Sequence, residues 1–187
     1  MEEESPVTAF LRTVNAGDVL SGTVAEITRS GAVAAVERFG VFVDLDETPA
    51  HPVFPGVGFI TIPDLSWHRF EDPYEIVAVG QRVTCEFLVF DTHNGEARLS
   101  LRATRPDPFQ GFARHTHVGQ VLRGRVTQVL PFGVFVRVAD GVEGLIHLPR
   151  PTGDPAGAPR PGDEITVTVT EIDTPRRLLT LSREAAR

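Results

Sequence analysis

Phe135 and Arg137 stand two residues apart in the run Phe132-Gly133-Val134-Phe135-Val136-Arg137-Val138. Side chains along an extended strand alternate between its faces. Val134, Val136 and Val138 therefore share one face, and Phe135 and Arg137 share the other. With the valines in a core, a ring and a guanidinium lie side by side at the surface. Such a pair can stack a base and hold a phosphate, the two contacts that retain single-stranded nucleic acid in a groove. Arg123 and Arg125 share one face of the preceding segment by the same period. Phe132 lies three residues before Phe135, so strict alternation sets the two rings on opposite faces. A bulge or tight turn at Pro131-Phe132-Gly133 would reconcile them.

Other reactive residue types are poorly placed for chemistry. Asp44, Asp46 and Glu47 lack the further oxygen ligands a divalent cation needs and read as a solvated strand end. His115 and His117 have no identifiable partners for a metal. Trp67 follows Leu65-Ser66 and reads as a half-buried anchor. The lone Cys85 sits on an apolar strand face and reads as a core residue. No nucleophile–base pair, phosphate loop or zinc signature occurs. The sequence thus assigns no catalytic residue, metal or cofactor, and the chain is read as non-enzymatic.

The formal net charge is −7, and all 18 cationic side chains are arginine. Residues 1–104 hold 7 arginines against 16 acidic residues, and residues 105–187 hold 11 against 9. The halves are therefore −9 and +2. Phosphate contacts dominate nucleic-acid affinity, so the second half is the one suited to a polyanion. No apolar run approaches the ~18 residues of a membrane span, and the start Met1-Glu2-Glu3-Glu4 lacks an export signal. With one cysteine, these features predict a cytoplasmic protein without a membrane partner.

Five matched segments reveal an internal duplication. Gly17-Asp18-Val19-Leu20-Ser21-Gly22-Thr23-Val24 answers to Gly119-Gln120-Val121-Leu122-Arg123-Gly124-Arg125-Val126. Phe39-Gly40-Val41-Phe42-Val43 answers to Phe132-Gly133-Val134-Phe135-Val136. Gly58 to Pro63 answers to Gly144 to Pro149, Gly80 to Val83 to Gly162 to Ile165, and Leu99-Ser100 to Leu181-Ser182. Each copy is strand-like: Val83, Cys85, Phe87 and Val89 alternate onto one face, as do Ile165, Val167 and Val169. Five strands are predicted per copy, near 19–28, 34–45, 57–62, 82–90 and 96–101, then 120–129, 132–139, 143–148, 164–172 and 177–182. The predicted fold is all-β, two five-stranded barrels in tandem. The predicted divisions are a tail at 1–14, a first barrel at 15–104, a linker at 105–116 and a second barrel at 117–187. In the linker, Asp107 is a candidate N-cap and Pro108 a first helical residue. A helix over 108–115 would offer Phe109 and Phe112 to the barrels on either side. Insertions near Arg29–Glu37 and Thr48–Val57 enlarge the first copy's loops, and 149–161, with five prolines and two glycines, reads as a loop.

The motifs Phe132-Gly133-Val134-Phe135-Val136 and Glu143-Gly144-Leu145-Ile146-His147, with a terminal Leu181-Ser182, resemble the S1 RNA-binding domain family. The resemblance spans about 15–102 and 117–185. The linker Asp107-Pro108-Phe109, followed by Phe112, is similar to the join between adjacent repeats of the ribosomal protein that names the family. The resemblance implies OB-fold Greek-key barrels whose RNA face comprises two phenylalanines, a histidine, and a late aspartate and arginine. In the second copy these are Phe132, Phe135, His147 and Asp173, with the basic role at Arg176 or Arg177, because Leu178 stands at the usual arginine position. The first copy retains Phe39, Phe42 and Asp91, but Thr61 replaces the histidine and Glu96 the arginine, so weaker RNA binding or protein docking is expected of it.

Together these readings predict a protein of translation or RNA metabolism that binds single-stranded RNA with little sequence preference. Phe132, Phe135 and His147 would meet bases; Arg123, Arg125, Arg137, Arg176 and Arg177 would hold phosphates. The alternative, motivated by the acidic first half, is an adaptor in which both barrels dock on the ribosome, a ribonuclease or transcription machinery. A ribonuclease tail is set aside because the repeats fill the chain.

Overall fold

The structure, a computed structural model, describes residues 5–28, 39–148 and 159–183. Two compact units divide the chain, Met1–Pro106 and Asp107–Arg187. Each contains a closed five-stranded barrel. The first is built from β1 (Val19–Thr28), β2 (Gly40–Leu45), β3 (Gly58–Thr61), β4 (Arg82–Asp91) and β5 (Glu96–Ser100). The second comprises β6 (Val121–Leu130), β7 (Gly133–Ala139), β8 (Val142–His147), β9 (Glu164–Asp173) and β10 (Leu178–Arg183). Around both barrels the strand order is first, second, third, fifth, fourth, with the fourth closing on the first. The third and fifth strands run parallel and every other pair antiparallel.

Closure requires the first strand to serve two neighbours. Residues 19–23 of β1 pair with β4, while 22–28 pair with β2 across a register shift between Val24 and Glu26. The same shift falls between Val126 and Gln128 in β6. An extra residue at such a point bends the strand and increases its twist. Gly22 stands where the partner backbone comes closest: a Cβ there would lie 2.5 Å from the Asp44 carbonyl oxygen. Gly124 holds the equivalent place, 2.9 Å from the Arg137 carbonyl oxygen.

The cores follow from alternation. Val24, Val41, Val43, Ile60, Cys85 and Leu99 are buried in the first barrel, and Val126, Val134, Val136, Ile146, Val167, Val169 and Leu181 in the second. Burial pushes the Cys85 thiol up to about 12, as desolvation disfavours a thiolate. Val89 departs from the alternation expected for β4. A register shift between Phe87 and Val89 turns its side chain outward, and it is 56% exposed.

An α-helix precedes each barrel in the sequence. Within the predicted 1–14 tail, Pro6–Leu11 forms a helix, α1, capped when the Ser5 side chain accepts from the Thr8 amide at 3.2 Å. Val7 and Leu11, four residues apart on one helical face, are buried in the first core. The segment is too short for periodicity to announce it. The linker helix α2 spans Pro108–His115 with Asp107 as N-cap, accepting from the Phe109 amide at 2.9 Å. Phe109 lies within the second core and Phe112 packs against it. Both rings sit on one face because they are three residues apart. The predicted insertion 29–37, the start of the predicted strand at 34–38 and most of the predicted loop 149–161 fall outside the described residues.

The two helices extend the duplication. Ser5-Pro6-Val7 and Asp107-Pro108-Phe109 stand the same distance before Gly17 and Gly119, and Phe10 corresponds to Phe112. If α1 is part of the first barrel's core, Leu11→Ala should lower that unit's stability by about 2–5 kcal/mol. Urea unfolding followed by Trp67 fluorescence checks this; a loss below about 0.5 kcal/mol would mark the helix as dispensable.

Candidate nucleic-acid interface

The β6–β7 hairpin turns through only Pro131 and Phe132, since Leu130 already pairs with Gly133. That tight reversal resolves the spacing problem posed by Phe132. The ring stands at the hairpin tip, 55% exposed, rather than on the opposite face of β7. Its centroid lies 6.4 Å from that of Phe135, with the planes nearly perpendicular, a favoured edge-to-face arrangement. Gly133 permits the close strand approach here, because a Cβ would meet the Ile146 carbonyl oxygen and the Leu145 side chain, both at 2.6 Å. Opposite Gly133 is His147, which is exposed.

Phe135 is half-buried, with core residues Val134 and Val136 on either side of it. Register places Gln128 and Leu145 directly across from it. Thr180 pairs with Leu145, and Glu171 with Thr180. A single outer row therefore runs Glu171–Thr180–Leu145–Phe135–Gln128 around the barrel, the ring held between two flanking side chains. Asp173 lies two residues beyond Glu171, on the same face of β9.

A second row carries the charge. Glu143, Arg137, Arg125 and Glu164 are successive cross-strand neighbours. Arg137 lies 3.6 Å from Glu143 and Arg125 3.3 Å from Glu164. Both guanidiniums are at least half exposed, so these pairs are weak and exchangeable. Arg123, two residues before Arg125, is exposed.

The two late arginines separate. Arg176 is exposed, its amide donating to Asp173 Oδ1 at 3.0 Å and its Nε 3.7 Å from Asp173 Oδ2. Arg177 instead makes a two-pronged contact with Asp107, Nε to Oδ2 at 3.0 Å and Nη2 to Oδ1 at 2.9 Å. Its guanidinium also sits 5.6 Å from the Phe109 ring centroid. Arg177 adopts a left-handed backbone at φ 53, which helps turn it toward the linker helix. The structure thus assembles Phe132, Phe135, His147, Arg125 and Arg137 around one hairpin and its neighbours, while Arg177 is held by α2. The Asp107 partner was visible in the sequence only as an N-cap.

Register gives the first barrel's counterpart of each position. Phe42 stands for Phe135, Phe59 for Leu145, Arg98 for Thr180 and Glu26 for Gln128. The three exposed arginines become Ser21, Thr23 and Asp44, a loss of cationic side chains that the aligned repeats already carried. Phe39 is 37% exposed, but Phe42 is 4% exposed. Its ring stacks on Phe54 at 5.4 Å and 22° and touches Phe59 at 4.9 Å. Asp91 accepts from the Asn94 side chain at 3.0 Å and from the amides of His93 and Asn94, and Arg98 Nε donates to it at 3.3 Å. The Asn94 side chain chiefly, with those amides and Arg98, holds its carboxyl below the usual carboxylate range against partial desolvation. Glu96 is fully buried. Elsewhere in this unit the Trp67 indole N–H donates to the Arg105 carbonyl at 3.1 Å beneath the Arg102 guanidinium, an anchoring role. Asp46 is bound to Arg82 through two 2.6 Å hydrogen bonds.

The S1 RNA binding domain profile matches the chain twice, at residues 28–102 and 116–184. The small ribosomal subunit protein bS1 of Mycolicibacterium smegmatis is 39% identical over 162 residues, covering 84% of this chain and 32% of that protein. The bS1 protein of Staphylococcus haemolyticus is 29% identical over 188 residues, covering 98% of this chain and 44% of its own. The chain therefore spans less than half the length of these relatives. The solution structure of GSP13 from Bacillus subtilis aligns at 24% identity with a TM-score of 0.36, over 56% of this chain and 73% of that one. Two closed barrels of this strand order, both matched by one profile, make the chain a tandem member of the S1 RNA-binding domain family.

Proposed function

We propose that the second barrel binds single-stranded RNA with low sequence preference, in the cytoplasm and in the service of translation. The observation that carries this is the Phe132–Phe135 pair, presented at a hairpin tip beside His147 and an exposed arginine row. An aromatic ring at the surface can stack a base, and any base has a face to offer. Arg123, Arg125, Arg137 and Arg176 supply phosphate contacts, exchanging weak carboxylate partners for phosphate oxygens. Asp173 holds the Arg176 backbone in place.

A second reading concerns the first barrel alone: it docks a protein on the ribosome or another RNA-processing assembly. Its covered Phe42 and the replacement of three arginines by Ser21, Thr23 and Asp44 favour this. A pull-down through the first barrel should then survive nuclease treatment, and its loss on RNA digestion would discard the reading.

Phe135→Ala should weaken binding of a fluorescent single-stranded oligoribonucleotide by about 1–3 kcal/mol at both low and moderate salt. Binding indifferent to Phe135 and to salt would leave the RNA reading without support. The two late arginines should respond differently. Arg176→Ala should reduce the slope of log affinity against log salt by about 0.7, one single-strand phosphate contact. Arg177→Ala should leave that slope unchanged and lower second-barrel stability by about 1–3 kcal/mol, short of a fully buried pair because its side chain is 30% exposed. Equal slope changes would place both arginines on RNA.

A further inference from the structure

Phe42 occupies the position of Phe135, yet another ring already lies on it. That ring, Phe54, comes from the inserted segment Thr48–Val57, which lies between β2 and β3 and contributes no barrel strand. The stack is close to parallel, with centroids 5.4 Å apart and 22° between planes. This is the offset-stacked geometry favoured between flat π systems, and the one a nucleobase would adopt on an open ring.

The segment is tied down at two points. His51 Nδ1 accepts from the amides of Val53 at 3.1 Å and Phe54 at 2.9 Å. With Nδ1 accepting, Nε2 carries the proton and donates to the Asn94 carbonyl oxygen at 3.0 Å. The imidazole also packs against the Phe54 ring at 4.8 Å. His51 thus fastens the insertion to the β4–β5 turn and sets the orientation of Phe54. The cover is superficial: Val53 is 78% exposed, and Phe54 itself is only half-buried. Beneath it lies the Phe42 ring, with the Phe59 ring tilted 57° to it and Arg98 5.2 Å over the Phe59 ring. The Arg98–Asp91 pair, 3.2 Å apart, offers a donor and an acceptor to the edge of a base.

We propose that the first barrel retains a nucleobase-stacking site that its own insertion closes, with Phe54 in the place of the base. The site takes an uncharged heteroaromatic ring rather than a phosphate, because Glu26, Asp44 and the unit's acidic excess repel polyanions. The identification of Phe42 as a platform rests on the reading of Phe135 as one, and two probes keep the two questions apart.

In the full-length chain with ¹³C-labelled phenylalanine rings, adenosine, which carries no phosphate, is titrated into wild type, Phe54→Ala and His51→Ala. The Phe42 and Phe59 resonances should move at least about tenfold more readily in Phe54→Ala than in wild type, the share of a single stacked ring. His51→Ala, which keeps Phe54 but loosens its tether, should give a smaller gain and supplies the comparison if Phe54→Ala disturbs folding. Equal responses in wild type and folded variants, or none in any of them, overturn the proposal. A single-stranded oligoribonucleotide added to wild type reports separately on Phe132 and Phe135. Silence there discards the RNA reading of the second barrel without deciding the first.

Discussion

A five-stranded sheet closes into a barrel only if its first strand bonds along both edges, and everything else in these two units follows from how β1 and β6 achieve that. Each strand serves its fourth-strand partner with one half and its second-strand partner with the other, bending where an extra residue breaks the register. The approach of the partner backbone at the overlap excludes a side chain, which is why Gly22 and Gly124 stand there. Closure leaves no free edge among the five strands, so specificity must come from what projects outward.

The same closure also sets which residues can project together. Across a barrel, cross-strand neighbours form rows, and a row is a continuous strip of surface assembled from residues far apart in sequence. Glu171, Thr180, Leu145, Phe135 and Gln128 are drawn from between positions 128 and 180 yet lie side by side. The duplicated rows diverged more than the cores, where Cys85, Phe87 and Ala97 answer to Val167, Val169 and Leu179. The valines, leucines and isoleucines inside are nearly interchangeable between copies, because burial constrains volume and apolarity. Outside, three arginines face a serine, a threonine and an aspartate, since solvent imposes no such constraint.

This contrast explains what could be read from the residues alone. The repeat, the ten strands and the linker helix were legible because alternation and capping are local rules. Phe135 was legible from the valines beside it, and Arg123 and Arg125 from their spacing. Phe132 required the hairpin turn, which reverses the sense of alternation and could only be named as a condition. Arg177 and Asp107 are seventy residues apart, so no window shows that the arginine serves the helix. The Phe54–Phe42 stack was hidden similarly, although His51-Pro52-Val53-Phe54-Pro55 is unusually aromatic and stiff for a mere loop extension. The bulge that exposes Val89 is a tertiary adjustment that overrides period-two counting.

The grip of Arg177 on Asp107, with Phe109 sunk into the second core, alters where one module stops and the next starts. The inheritable piece is a short capped helix followed by a barrel. The first copy repeats the plan with Ser5, Pro6 and Val7. A boundary drawn at the first strand, as barrel geometry alone would suggest, severs an arginine from its carboxylate and opens the barrel's apolar interior to water. Recombination between such repeats would therefore be tolerated just ahead of the helix cap and selected against behind it. On this view the segment between neighbouring barrels is no spacer: it is the opening element of the module that follows.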